Sequence, residues 1–250
     1  RTGPPGLHLE VHGADLGPPE QNLVYRAAAR FFDAAGLPPR AHLRLHKRIP
    51  AGTGLGGASS DAATTLIALN RLHGEPLPPA RLLALAAELG SDVPFFLSAA
   101  PFALGWGRGE RLLALPPPPP APVLLAIPSI RIPTADAYRW LDERRARRPA
   151  PLRPALTRVE ELSTWDTLAR TATNDFEEPA FARYPVLQRI HAALLASGPH
   201  LARLAGSGSA LFAVYPDLAA AGAVRAKGER TKTRSRYRVG SATVRPEVSL

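Results

Sequence analysis

The chain has 250 residues, 45% of them hydrophobic and 21% charged, enough to bury a core in one large domain or two small ones. Its 31 Lys and Arg against 21 Asp and Glu give a formal net charge of +10, and the absence of cysteine excludes disulfides, thiolate metal sites and cysteine nucleophiles. No apolar run reaches the roughly 18 residues of a membrane span and no secretory leader pattern opens the chain, so the expected location is the cytoplasm.

The basic excess gathers in two runs, ERRARRPAPLRP (143–154) and RAKGERTKTRSRYR (225–238). Such runs mark nucleic-acid binding when they share a face with exposed aromatics, and are otherwise a solvated helix end and a basic edge. The solvated reading is the default, so nucleic acid is not expected as a partner, and a basic surface also suits ligands that carry several phosphates. Methionine is absent too, and the chain opens at Arg1 in the turn-like string RTGPPG, which predicts a preceding N-terminal piece in the parent protein.

In chain order, LHLEVHG (7–13) alternates apolar and polar residues as a half-buried strand does. NLVYRAAARFFDAAG (22–36) reads as an amphipathic helix capped by Asn22 and stopped by Gly36. AHLRLHKRI (41–49) is a second alternating strand, ended by Pro50. Helices are predicted over DAATTLIALNRLHG (61–74), closed by Gly74, and PARLLALAAELG (79–90), with Pro79 in its first turn. PFALGW (101–106) and ERLLAL (110–115) are short strand candidates, followed by PPPPPAP (116–122), a stiff polyproline linker that divides the chain into 1–118 and 119–250.

Beyond the linker, VLLAIP (123–128) predicts a strand, and ADAYRWLDERRARR (135–148), TRVEELSTWDTLART (157–171) and PVLQRIHAALLASG (185–198) predict helices. RLAGSGSALFAVY (203–215) reads as strand, glycine turn, strand, followed by a helix at DLAAAGAVRA (217–226) and a basic strand candidate. The class is α+β, with two lobes and a ligand cleft expected between them.

The most informative stretch is PAGTGLGGASSDAA, Pro50 to Ala63: a strand end, a glycine loop and a helix start near Ala58. Pro50, Ala51, Gly52, Thr53, Gly54, Leu55, Gly56, Gly57, Ala58, Ser59 and Ser60 make the loop. Its glycines let the backbone approach a ligand closely, and its free N–H groups stand at a helix N-terminus where the dipole favours an anion. Ser59 and Ser60 add hydroxyl donors, either of which could ligate a nucleotide-borne Mg²⁺. Gly52, Gly54 and Gly57 satisfy GxGxxG, but the dinucleotide reading needs a second parallel strand after the helix, and here another helix start follows. A P-loop needs Lys-Ser or Lys-Thr after its last glycine, where this chain has Ala58 and Ser59. A protein-kinase loop needs later HRD and DFG strings, which do not occur.

Two further strings carry chemistry. In LGSDVPFFL (89–97) a lone Asp before Val-Pro is by default a helix N-cap. In AGSGSALFAVY (205–215) a Gly-Ser turn between apolar runs is by default a hairpin. Tyr138, in IPSIRIPTADAY (127–138), is on its own an ordinary half-buried helix tyrosine.

Pro50 through Ser60 resembles, position by position, the P-x-x-x-G-L-G-[GS]-[GA]-S-S loop of the GHMP kinases. LGSDVPFF resembles the L-G-[AS]-D-V-P-[FV]-F signature of the diphosphocytidyl methylerythritol kinases within that superfamily. GWGRGERLLAL (105–115), IPSIRIPTADAY and TNDFEEPAF (173–181) resemble further segments of the same family, in family order from Asn22 to about Tyr215. The resemblance implies a two-lobed fold, with an N-terminal lobe like the ribosomal S5 second domain, lacking its first strands, and a ferredoxin-like C-terminal lobe.

It also implies phosphoryl transfer from ATP, carried with Mg²⁺, to the hydroxyl of a cytidine diphosphate-linked small molecule, with no resident metal site. Asp92 would be the base, with Asp61 a weaker rival because the family often has Asn there. Tyr138 would stack on the cytosine, with Thr134 beside it on the substrate. Gly206, Ser207 and Gly208 would form the turn near the reacting phosphate. The family's opening P-A-K-[VL]-N-L and D-G-Y-H strings do not occur, in keeping with an N-terminal piece that lies before Arg1.

Overall fold

The computed structural model describes residues 6–98, 100–147, 159–230 and 238–243. The opening RTGPP, residues 148–154 of the first basic run and 231–237 of the second lie outside the described residues. Two compact units emerge: the first runs to Ala51 and from Gly56 to Leu115, and the second takes Gly52–Leu55 and the described chain from Pro116.

In the first unit, β1 (Gly6–His12) and β2 (Arg40–His46) pair in parallel, joined by α1 (Leu23–Ala35). The alternation read from sequence sorts these strands into two faces. Leu7, Ala41 and Leu43 pack against the core, while His8, Glu10, His12, His42, Arg44 and His46 are exposed. α1 forms where expected: the Asn22 side chain accepts the Val24 N–H, and Gly36 ends the helix at φ 64°, a left-handed conformation that glycine adopts without strain. Its buried residues Val24, Ala27, Ala28, Phe31 and Phe32 repeat at helical spacing. Ala27, Ala28, Phe31 and Phe32 meet Ala62, Ala63, Leu66 and Leu69 of α2 (Gly57–Leu72) and Leu82, Leu85, Ala86 and Leu89 of α3 (Pro79–Leu89) in one cluster. Asn70, buried within α2, clamps the next connection by donating to the Leu77 carbonyl (3.1 Å) and accepting its N–H (3.0 Å). A short α4 (Val93–Leu97) and an antiparallel hairpin, β3 (Ala103–Trp106) with β4 (Arg111–Ala114), complete the unit.

The second unit carries a four-stranded antiparallel sheet. Its strands are β5 (Pro122–Ile127), β6 (Leu201–Leu204), β7 (Leu211–Val214) and β8 (Arg238–Thr243), in the spatial order β6-β7-β5-β8. With α5 (Thr134–Arg147) through α8 (Pro185–Leu195) between β5 and β6, and α9 (Leu218–Arg230) between β7 and β8, the order is ferredoxin-like, as the resemblance implied. Leu187, Leu204, Leu211, Ala213 and Tyr215 are sealed in its core, where the Tyr215 hydroxyl meets Ser197 Oγ at 2.7 Å.

One predicted helix divides. The stretch read as a single helix over 157–171 is a 3₁₀ turn at Val159–Ser163 and a separate α6 (Trp165–Thr171), because Thr164 turns extended and its side chain accepts the Thr167 N–H. α7 (Glu177–Arg183), which carries Pro179 in its first turn, was not anticipated.

Candidate active site

The glycine loop joins a strand to a helix, as expected, with α2 opening at Gly57. Gly56 holds the capping position at φ 70° and has no side chain to offer the helix. The N–H groups of Gly57, Ala58 and Ser59 therefore point out of the helix end without an intrahelical acceptor, while the Ser60 N–H already bonds the Gly56 carbonyl (2.9 Å). Three converging donors at the positive end of a 16-residue helix make an anion cradle.

Beneath the cradle lies a pair that sequence reasoning missed. The Lys47 N–H continues the parallel pairing by donating to the His12 carbonyl (2.8 Å), and strand alternation turns its side chain inward. Only 6% of that side chain is exposed, and Nζ lies 2.5 Å from Oδ2 of Asp61, which is 28% exposed. Gly57 packs on this pair so closely that a Cβ there would stand 3.0 Å from Ile49 and 3.3 Å from Lys47 Nζ. Asp61, the rival base, is thus committed to Lys47. The signal in sequence was a lysine at an inward position just before the loop. Asp61→Ala should cost about 2–3 kcal/mol in urea unfolding, below the roughly 3–5 kcal/mol of a fully buried pair because Asp61 keeps some solvent. Lys47→Met with Asp61→Ala should recover part of that loss, and single losses that merely add would show the two residues uncoupled.

Gly52–Leu55 folds with the second unit. The Ala210 N–H donates to the Thr53 carbonyl (3.1 Å), and Gly206 lies against Gly54, where an added Cβ would stand 3.1 Å from the Gly54 carbonyl oxygen. Gly54, at φ 74°, has no room for a side chain: a Cβ would overlap the Ala205 carbonyl and stand 2.9 Å from the Gly208 nitrogen. The Gly206–Gly208 turn, read from sequence as hairpin or phosphate loop, is indeed a turn between β6 and β7, and its backbone packs on the first glycine loop. Ser209, fully buried, donates to the Ile130 carbonyl and ties the same turn to the segment before α5.

Asp92 precedes α4 and is exposed. It does not cap that helix: its backbone is α-helical (φ −88°, ψ −16°), and its side chain makes no capping bond. A cap needs an extended backbone and an N–H two or three residues on, and the nearer of those positions is Pro94, which has none. The expectation that Asp92 serves as cap as well as base is therefore corrected, and its carboxylate makes no hydrogen bond or ion pair among the described residues. α4 itself is well anchored, with Val93 in the same buried cluster as Ala62, Ala63 and Leu66, and Phe96 against Gly56. The β3–β4 turn approaches from the other side, Gly109 lying in contact with Ser91. Glu110 closes that turn, its carboxyl held below the usual range by its own N–H and by that of Arg108 (2.8 Å). A depressed carboxyl stabilises while ionised, so this closure is lost as pH falls.

On the second unit, Thr134 opens α5 and Tyr138 follows one turn later, so both exposed side chains share a helix face. Tyr138 is 51% exposed and its ring makes a T-shaped contact with that of Phe176 at 5.0 Å and 78°, so it is braced without being covered.

An uncapped helix start behind a glycine loop, and in the second unit a ferredoxin-like sheet with a second glycine turn, are features that the resemblance implied. Models of the GHMP kinase N-terminal and C-terminal domains match residues 22–100 and 152–232. The chain is 43% identical over 225 residues to 4-diphosphocytidyl-2-C-methyl-D-erythritol kinase of Deinococcus radiodurans, covering 88% of this chain and 72% of that protein. A crystal structure of 4-(cytidine 5'-diphospho)-2C-methyl-D-erythritol kinase superposes with a TM-score of 0.72 at 38% identity, covering 96% of this chain and 83% of the other. The chain belongs to the 4-diphosphocytidyl-2-C-methyl-D-erythritol kinase family. Homoserine kinase from Cytophaga hutchinsonii superposes with a TM-score of 0.71 over 96% of this chain and 82% of that one, but at 18% identity it shares the fold alone.

Among the described residues no helix is long and apolar enough to cross a membrane, and no group of three or more His, Cys, Asp or Glu is placed to hold a metal.

Proposed function

We propose that the chain transfers the γ-phosphoryl group of ATP to the 2-hydroxyl of 4-diphosphocytidyl-2-C-methyl-D-erythritol, a step in non-mevalonate isoprenoid precursor synthesis, in the cytoplasm. The observation that carries this reading is the 43% identity to the Deinococcus enzyme of that name. Phosphoryl transfer asks a protein for positioning, charge neutralisation and one well-placed carboxylate. The loop Pro50–Ser60 is the natural holder of the triphosphate, with the N–H groups of Gly57, Ala58 and Ser59 on its oxygens. The Ser59 and Ser60 hydroxyls would suit a nucleotide-borne Mg²⁺, which needs few protein ligands and would supply neutralisation of the phosphate charge.

Asp92, exposed and without a hydrogen bond or ion pair among the described residues, is the base that takes the proton of the attacking hydroxyl. Gly206, Ser207 and Gly208 present a second turn to the phosphate, and Tyr138 with Thr134 receives the cytidine. Offered ATP with the cytidyl substrate, homoserine or mevalonate, the enzyme should form ADP fastest with the first, and a preference for either other alcohol overturns the reading. Tyr138→Ala should raise KM for the cytidyl substrate by about 10-fold, the low end of the roughly 1–3 kcal/mol that base stacking contributes, and leave KM for ATP unchanged.

A further inference from the structure

The segment between α6 and α7 makes an unusual set of bonds to the strand that leads into the second glycine turn. Asn174 Nδ2 donates to the carbonyls of Leu204 (2.9 Å) and Gly206 (2.7 Å), and its Oδ1 accepts the Phe176 N–H (2.9 Å). Glu177 accepts the Leu204 N–H (3.0 Å). The Arg203 guanidinium donates to the Ala172 carbonyl through Nε (2.9 Å) and Nη2 (2.7 Å). Of the Asn174, Glu177 and Arg203 side chains, Asn174 is the one that hydrogen-bonds the glycine turn itself. The same amide that grips Gly206 also fixes the backbone of Phe176, whose ring braces Tyr138.

We infer that Asn174 is a positioning residue that sets the distance between the Gly206–Gly208 turn and the Tyr138 platform. A substrate held by its base on Tyr138 then presents its far hydroxyl at the right depth for the phosphate beside the turn. The chemistry of the side chain is specific to this task. It needs two N–H donors diverging toward two carbonyls and one acceptor facing the other way, all on a short stem, and asparagine alone supplies that set. Aspartate has the same shape but no donors, and would set a negative charge against the carbonyl oxygens of Leu204 and Gly206. The bonds to Glu177 and Arg203 keep the segment attached without touching the turn, so losing the Asn174 amide shifts the turn relative to Phe176 without detaching the segment.

The inference rests on Tyr138 as the base platform, and the experiment separates the two ideas. Asn174→Asp should lower kcat for the cytidyl substrate by roughly 10–100-fold, the scale of a small misplacement of reacting groups, with KM for ATP within about twofold. A larger share of the ATP consumed should go to water in place of the alcohol. Unchanged kcat per folded molecule and unchanged coupling, with only the melting temperature lowered, would make Asn174 a structural residue and overturn the inference. So would a loss confined to KM for ATP. If Asn174→Asp does not fold, Phe176→Leu decides, because it keeps the amide bonds and removes the ring: KM for the cytidyl substrate should rise several-fold, and wild-type constants refute the coupling. Tyr138→Ala, measured alongside, tests the platform itself. Wild-type kinetics there, together with a kcat loss in Asn174→Asp, would remove the stacking role and leave Asn174 acting on the phosphate turn alone.

Discussion

Asp92→Asn should lower turnover by roughly 10²–10⁴-fold, the range lost with a general base, and should leave nucleotide binding intact. Two observations sharpen this expectation. The carboxylate caps no helix, so its replacement by an amide removes no capping bond and should leave the melting temperature unchanged. The rival carboxylate, Asp61, is engaged by Lys47 at 2.5 Å. Steady-state kinetics with a nucleotide-binding titration and a thermal melt check all three parts. Near wild-type turnover by the Asn variant would remove Asp92 from the chemistry.

Gly54→Ala is expected to be the most damaging change in the loop. The residue sits at φ 74°, where an L side chain is strained by about 1–2 kcal/mol, and a Cβ has the Ala205 carbonyl in its place. Neither neighbour is a flexible side chain that could swing aside, so the loop must leave the Gly206–Gly208 turn. We expect kcat/KM for ATP to fall by about 10²-fold or more, since a shift near 1 Å is enough for that. Gly74→Ala is the matched control. Gly74 has the same sign of φ (76°) but nothing within 4 Å of an added Cβ, so it should lose some stability and no ATP kinetics. Equal kinetic losses in both variants would show that backbone strain, not the packing of loop on turn, is what matters.

Much of the fold was legible because its determinants are local. Asn22 and Gly36 bracket α1 as a cap and a left-handed stop, and both act through residues within a turn of themselves. The alternation in β1 and β2 predicted which side chains face inward, down to the rows Leu7, Leu9, Val11 and Ala41, Leu43, Leu45. The helix break at Thr164 was also written locally, in a Ser-Thr pair ahead of an acidic residue, but the apolar pattern on either side ran through it. What sequence could not supply were the partners. Strand alternation turns Lys47 inward, but nothing in the sequence names Asp61, 14 residues on, as its partner. Asp92 read as a cap because its neighbours suit one, and only its backbone angles and Pro94 exclude it. The loop's second support, the turn at Ala205–Gly208, is likewise a tertiary fact.

That support has a consequence for how the molecule is made. Gly54 rests on Ala205, and Thr53 on Ala210, contacts that close a span of about 150 residues and so belong late in folding. During synthesis at roughly 5–20 residues per second, the loop emerges roughly 8–30 s before the turn that shapes it. For that interval Gly54 lacks the Ala205 and Gly208 backbone it packs against in the folded chain. Ribosome-stalled chains ending before β6 should therefore be cut by protease at Gly52–Leu55, where the completed chain resists. The loop is an early sequence with a late structure, because Gly52–Leu55 packs with residues that are translated only in the C-terminal half of the chain.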